Sequence, residues 1–199
     1  MAKHRAPEGD ASDFDAATSA LADVTGDYTV DVQHTRIGMR ARHAMVTTVR
    51  GAFTAFEGTA HLDVAEPSAS SVRLRIEAAS IDTGTPDRDA HLRSADFLDV
   101  ERFPYLTFRS TEVEQIDEDT YRVTGDLGIK DVVRPVTVDF TLTGSAQDPW
   151  GQLRVGFEGA LVIRRADWGL TWNTPLDTGG VLVSDKVQVE FDVSVIKAG

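Results

Sequence analysis

Apolar and polar residues alternate along most of this chain, from Tyr28 to the C-terminus. The alternation is clearest from Val187 to Val195, where every intervening residue is polar. Successive side chains of a β-strand point to opposite faces of the sheet, so the pattern predicts strands with one apolar and one solvated face. Turn-forming residues separate the runs, which predicts antiparallel pairing of consecutive strands.

About eight strands of this kind are predicted, and they can stack as two sheets or close into a barrel. The alternation alone does not decide between these architectures. The longest runs, residues 153–163 and 187–195, would each extend about 30 Å, which favours a tall barrel. The fold class is therefore predicted to be all-β.

One stretch interrupts the alternation. Between residues 87 and 98, apolar residues recur at three- and four-residue spacing, which predicts a short helical insert with Asp87 and Asp89 in its first turn. Pro104 disfavours helical geometry at Phe103, so the helix must end before that point. Its apolar face needs a hydrophobic surface, which the end of a barrel or sandwich would offer.

Charge and composition narrow the range of partners. Acidic side chains outnumber basic ones by 32 to 20 in the 199 residues, for a formal net charge of −12. Nucleic acid is not expected as a partner, because its phosphates would be repelled at long range. Stable membrane insertion is not expected, because no apolar run approaches the length of a membrane span. The absence of cysteine excludes disulfides, thiolate nucleophiles and cysteine-bound metals.

The beginning of the chain differs from the rest. Residues 1–25 contain few large apolar groups, which predicts a disordered tail before a single β-barrel domain over residues 26–199. The first residues are basic but lack the apolar core of a secretion signal. A cytoplasmic location is therefore predicted.

Several segments carry a resemblance that goes beyond periodicity. In order along the chain they are Gln33-His34-Thr35, Gly51-Ala52-Phe53, Ser80-Ile81-Asp82-Thr83-Gly84, residues 88–97, residues 103–110 and Arg165-Ala166-Asp167-Trp168-Gly169. Together they resemble the YceI-like family of lipocalin-like polyisoprenoid-binding proteins, over residues 27–196. The block from Arg88 to Ser110 is the most specific part.

The resemblance implies an extended eight-stranded antiparallel lipocalin-like β-barrel whose hydrophobic pore holds a long-chain isoprenoid or similar amphiphile. It also implies pairing as a homodimer. Many family members carry a secretion signal where this chain has an acidic tail. Trp168 stands where the family usually has phenylalanine, a change that keeps an aromatic plug.

The predicted inner face favours a binding cavity. A small barrel either fills its interior with side chains or leaves room for one ligand, and small residues such as Ala41, Ala60 and Gly159 would leave room. The alternative is that the inner residues form an ordinary packed core. With the resemblance, the predicted ligand-binding residues are Ile37, Met39, His43, Leu74, Ile76, Leu92, Phe97, Phe108, Val138, Phe140, Phe157, Gly159, Leu161, Trp168, Val189 and Phe191.

The charged residues of the helical insert have two interpretations. Arg88, His91 and Arg93 are candidates to meet the polar head group of an amphiphile at the barrel mouth. Alternatively, they tie the helix to neighbouring strands, with Asp87 on the same helical face as His91.

The remaining histidines do not indicate a metal site. His34 and His43 are too far apart in sequence for a recognisable ligand spacing, and His61 falls on a solvated face. His43 shares a face with apolar residues, which is typical of a hydrogen-bonded core histidine. No nucleophile motif or glycine-rich phosphate loop occurs, so no metal, cofactor or catalytic residue is expected.

The predicted function is non-enzymatic binding, transport or storage of a long-chain isoprenoid, either a quinone or a polyprenyl lipid. Two alternatives stay open. The barrel could sequester other amphiphiles or hydrophobic antibiotics. It could instead be an enzyme that acts on a hydrophobic substrate at the mouth, using His43 or His91 with a nearby aspartate.

Overall fold

The computed structural model describes residues 24–177 and 179–199. In this part of the chain, one α-helix, α1 (Pro86–Arg93), accompanies eleven strands. The strands are β1 (Gly26–Val30), β2 (Arg36–His43), β3 (Thr47–Phe53), β4 (Phe56–Leu62), β5 (Ser71–Glu77), β6 (Ile81–Asp82), β7 (Tyr105–Gln115), β8 (Thr120–Ile129), β9 (Val132–Gln147), β10 (Leu153–Arg164) and β11 (Val183–Lys197).

These strands form a closed barrel. Strands β1 and β2 both pair with β11, so they act as two halves of one long strand. In the same way β3 continues into β4, and β5 continues into β6. When each such pair is counted as one strand, the barrel has eight long antiparallel strands. Each pairs with the next, and β11 pairs with the first. The predicted eight-stranded barrel is confirmed, and its closure between β1 and β11 removes the exposed edges that an open sheet would have there.

The register places the predicted apolar faces inside. Phe140 on β9, Gly159 on β10 and Phe191 on β11 stand side by side across three strands. Their sequence neighbours Asp139, Ala160 and Asp192 are exposed. The period of two therefore identifies the inner face.

The barrel has two ends that differ in structure. At the helix end, α1, Leu98, a 3-10 turn (Arg165–Trp168) and Leu170 lie against the strands. At the far end, Val24, Tyr28 and Val155 pack together. The Tyr28 hydroxyl donates a hydrogen bond to the Val24 carbonyl, so Val24, which was predicted to lie in the tail, is part of the packed core. The tail prediction otherwise falls on residues 1–23, which lie outside the described residues.

Helix α1 is shorter than the predicted insert over residues 87–98. It ends at Arg93 because the Ser94 hydroxyl and amide both donate to the His91 carbonyl. The turn that follows, rather than a continued helical face, carries Phe97 and Leu98 into the core.

Candidate ligand cavity

A cavity of about 610 Å³ lies inside the barrel. Its lining runs from Leu92 and Trp172 at the helix end to Val24 and Val195 at the far end. This volume is within the range of about 300–1,000 Å³ typical of small-molecule sites. The barrel thus encloses an elongated space, and every long strand contributes to its wall.

Inward-facing side chains that keep accessible surface show that the interior is not packed shut. Met39, Leu74, Phe140 and Leu161 face the cavity, yet each is only half-buried. By contrast, Val155 at the far end is almost fully buried. The surface that the first four retain is the cavity wall, which distinguishes this interior from an ordinary filled core.

Most of the predicted ligand-binding residues line this cavity; their contact with a ligand stays a prediction. Those in the wall are Ile37, Met39, His43, Leu74, Ile76, Leu92, Phe97, Phe108, Val138, Phe140, Phe157, Leu161, Val189 and Phe191.

Gly159 does not belong to the cavity wall, although it faces inward. The Phe140 ring covers it, so that a Cβ atom at residue 159 would lie 2.8 Å from Phe140 Cδ1. The space that a glycine was expected to leave is therefore filled by its neighbour.

Trp168, which was predicted to bind the ligand, is also absent from the cavity wall. It is 3% exposed in the packed core of the helix end, and its indole Nε1 donates a hydrogen bond to the Leu127 carbonyl at 3.0 Å. This bond fixes the 3-10 turn to β8, so Trp168 is a structural residue rather than a plug of the pore.

The charged residues of α1 divide between the cavity and the strands. Arg88 lines the mouth, and its guanidinium donates to the side-chain oxygens of Thr83 and Thr85 at 2.7 and 2.9 Å. Arg93 does not reach the mouth. Its Nε and Nη2 atoms donate to the carbonyls of Ala79 and Ile81, each at 2.7 Å, and tie the helix to the start of β6 and the turn before it.

His91 lies in an aromatic setting at the mouth. Its ring meets Trp172 and Phe97 edge-on, with centroid distances of 4.5 and 5.1 Å. Its Nε2 atom lies 2.9 Å from Asp96 Oδ2, so the carboxylate partner is Asp96 and not the predicted Asp87. This contact orients the imidazole across the opening of the cavity.

Arg165 is a mouth residue that the predicted site omitted. It is 6% exposed, and its Nε atom donates to the Ser184 carbonyl at 3.0 Å. Its Cζ atom lies 5.9 Å from the centroid of the Phe97 ring. Burial lowers the pKa of Arg165, an effect that the nearby Asp185 opposes. The sequence signal for a mouth residue here is an arginine that directly follows the alternating strand β10.

Trp172 and Arg42 also line the mouth and were not predicted. Trp172 lies outside any strand, and Arg42 is on the polar register of β2 beside His43. The alternation of apolar and polar residues does not predict either position. Both residues reach the cavity because they lie at the end of the barrel.

Among the described residues, the other histidines are paired with carboxylates or exposed. His34 Nδ1 lies 2.6 Å from Asp31 Oδ2, and His61 Nδ1 lies 2.7 Å from Asp27 Oδ1. His43 is exposed at the mouth, so its prediction as a core histidine is wrong. Among residues 24–177 and 179–199, no group of three histidine or acidic side chains could hold a metal ion.

The residues described contain no helix long and apolar enough to cross a lipid bilayer.

Comparisons with known proteins agree on one family. The sequence model of the YceI-like domain matches residues 28–195. Protein YceI of Escherichia coli is 40% identical over 154 residues, which are 76% of this chain and 80% of that protein. A UPF0312 protein of Pectobacterium atrosepticum is 41% identical over 158 residues, or 78% of this chain and 80% of the relative.

Solved structures share the fold. BcnA of Burkholderia cenocepacia matches with a TM-score of 0.74 at 27% identity, covering 83% of this chain and 98% of BcnA. A polyisoprenoid-binding domain from Saccharophagus degradans, implicated in plant cell wall breakdown, matches with a TM-score of 0.66. That domain is 16% identical, and the match covers 86% of this chain and 98% of the domain. At this identity the likeness is one of fold alone.

Proposed function

Because the chain belongs to the YceI-like family, we propose that it binds a long-chain isoprenoid, a quinone or a polyprenyl lipid, and carries or stores it unchanged. The observation that supports this proposal most directly is the elongated apolar cavity of about 610 Å³. The Saccharophagus domain, which is named for polyisoprenoid binding, has the same fold.

The chemistry of the cavity wall suits an apolar tail. Between the two ends, the wall consists of side chains such as Met39, Leu74, Phe140 and Leu161. Transfer of a hydrocarbon tail from water to such a wall gains about 0.8 kcal/mol per methylene group. A long tail could therefore bind tightly with few polar contacts, and the elongated lining favours a linear guest.

Binding without turnover is part of the proposal. At the mouth, His91 already contacts Asp96 through Nε2 and packs against two aromatic rings. This arrangement supports a role in shaping the opening. An enzyme would instead convert an extracted ligand, and the conversion would stop in His43→Ala or His91→Ala while binding persisted.

Ligand content is the direct test. Native mass spectrometry and organic extraction of freshly purified protein should detect a long apolar molecule bound in a one-to-one complex. A protein that neither retains nor takes up such a molecule would refute the proposal. A co-purified hydrophobic compound of another class, such as an antibiotic, would instead favour sequestration.

Two neighbouring positions provide matched variants. Leu161 lines the cavity, whereas Val162 points outward and is 59% exposed. Leu161→Trp should reduce lipid uptake because the larger side chain occupies ligand space, and Val162→Trp should leave uptake unchanged. Equal uptake by both variants would exclude the cavity as the binding site.

Pairing as a homodimer and a cytoplasmic location are also proposed, on the resemblance and on the N-terminal composition respectively. Size-exclusion chromatography with light scattering tests the first, and a monomer mass would refute it. Cell fractionation tests the second.

A further inference from the structure

The mouth of the cavity differs in charge from the rest of the chain. Arg42, His43, Arg88, His91 and Arg165, here called the basic mouth, line the helix end of the cavity. Among the described lining residues at this end, Asp87 is the one carboxylate. This cluster contrasts with a chain that has 32 acidic and 20 basic residues.

Short contacts connect the members of the basic mouth. The Arg42 amide donates to the Ser184 hydroxyl at 3.0 Å, and Arg165 donates to the carbonyl of the same serine. The Arg165 guanidinium faces the Phe97 ring, which in turn packs against His91. Arg88 lies three positions before His91 on α1, and this spacing puts both on one helical face. All five residues line the helix end of the same cavity.

The three guanidiniums of the basic mouth donate to neutral oxygens. Arg88 donates to threonine oxygens, and Arg42 Nη1 donates to the Thr48 hydroxyl at 3.2 Å. The acceptors of Arg165 are backbone carbonyls. In the part of the chain that the structure describes, none of the three forms an ion pair with a carboxylate.

Asp185 neutralises the charge of Arg165 only in part. Its Oδ2 atom accepts from Arg164 Nε at 2.9 Å, and its Oδ1 atom accepts from the Ala166 amide at 3.0 Å. One carboxylate is thus shared by two guanidiniums. A buried cation without a dedicated counter-ion is costly, so the charge of Arg165 favours an anion in the adjacent cavity.

We propose that the amphiphile bound by this barrel has an anionic head, a phosphate or a carboxylate, which the basic mouth holds while the apolar tail fills the cavity. This inference rests on the proposed function and specifies its ligand class. The guanidinium group of arginine can donate two parallel hydrogen bonds to either a carboxylate or a phosphate. The apolar cavity wall has a low dielectric constant, which strengthens the attraction between the opposite charges. A neutral quinone or alcohol head group would not gain this electrostatic attraction.

The test compares three isoprenoids that share one tail: geranylgeraniol, geranylgeranoic acid and geranylgeranyl monophosphate. Calorimetric titration should give a Kd at least about tenfold lower for the anions than for the alcohol, equivalent to about 1.4 kcal/mol. Added salt should reduce this ratio. The acid and the phosphate, compared with each other, identify which anionic group is preferred.

Variants assign the preference to the mouth. Arg88→Gln and Arg42→Gln should each lower the ratio of anion affinity to alcohol affinity. Arg165→Lys keeps the charge but removes the two parallel donors, and it should weaken phosphate binding most. Arg122→Gln, which removes an exposed arginine paired with Asp139 on the outer wall, should leave the ratio unchanged.

The outcomes separate this inference from the proposed function. Equal affinity for the alcohol and both anions overturns the anionic head and leaves isoprenoid binding standing. A preference for anions that all three mouth variants retain overturns the assignment to the basic mouth. Failure of all three isoprenoids to bind overturns the proposed function itself.

Discussion

The Phe140 ring lies over the backbone of Gly159 on the neighbouring strand, inside the barrel. A Cβ atom at residue 159 would lie 2.8 Å from the ring and 3.0 Å from the Asp139 carbonyl oxygen. Real Cβ contacts essentially never fall below 3.0 Å, so any side chain at this position must displace the ring. The glycine thus sets the position of Phe140 and, with it, the local width of the cavity.

Gly159→Ala should therefore destabilise the protein by about 1–3 kcal/mol, the usual cost of overpacking. The displaced Phe140 ring should also reduce the capacity for an apolar ligand. Urea denaturation measures the first effect, and ligand stoichiometry measures the second. Ala160→Val, at the adjacent exposed position, should change neither quantity.

A double variant tests the cause. In a Phe140→Leu background the ring is absent, so Gly159→Ala should cost less than in the natural chain. An equal cost in both backgrounds would show that the ring contact does not explain the requirement for glycine.

Trp168→Phe should lower stability without affecting ligand binding. The substitution removes the donor to the Leu127 carbonyl, and a lost buried hydrogen bond costs about 1–3 kcal/mol. Because Trp168 does not line the cavity, the ligand Kd should stay the same. Trp150→Phe is the matched control, since Trp150 is 82% exposed and its loss should change neither quantity. A weaker ligand Kd in Trp168→Phe would restore its predicted role as a plug.

The far end should be sensitive to acid through Arg154. This side chain forms ion pairs with Asp31 and with Asp148, the latter at 3.0 Å, and both carboxylates are largely buried. Burial acts to raise the pKa of Asp31, but hydrogen bonds from Arg154, His34 and the Gln33 amide outweigh it, so its pKa is lower than the usual 3.8. Burial also acts to raise the pKa of Asp148, but hydrogen bonds outweigh this effect, so that its pKa is lowered as well.

A lowered carboxylate pKa fixes the sign of the pH dependence. The folded state binds fewer protons than the unfolded state, so the stabilisation is complete above about pH 4 and is lost as pH falls through the lowered pKa values. Arg154→Met should lower stability at neutral pH and should make the loss of stability below about pH 4 shallower. Urea titrations over a pH series provide the measurement.

The exposed pair Arg122–Asp139 is the control for Arg154. Arg122→Met should lower stability less than Arg154→Met at neutral pH, because solvent screens an exposed pair. Equal costs for the two variants would show that burial of the Arg154 pairs does not matter.

The strands and their inner faces could be predicted from the sequence, because a period of two is a local property. Residues such as Ile37, Leu161 and Phe191 were assigned to the interior on this basis, and they line it. Alternation does not report how far a ring tilts, so it could not show that Phe140 covers Gly159. The distinction between a cavity and a filled core therefore depends on how the side chains pack in three dimensions.

The mouth was only partly predictable, for a physical reason. Arg93 and Trp168 were expected at the ligand, but the carbonyls of Ala79, Ile81 and Leu127 hold them elsewhere. Arg165 is held at the mouth by the Ser184 carbonyl. These acceptors lie 12 to 41 positions away along the chain, so no short-range pattern indicates them.

The closed barrel limits the routes by which a ligand could enter or leave. Strand β11 is hydrogen-bonded to β10 on one side and to β1 and β2 on the other, so the wall has no seam along this strand. Sideways escape would break a whole ladder of hydrogen bonds at once. A ligand of the proposed kind should therefore enter and leave through an end of the barrel.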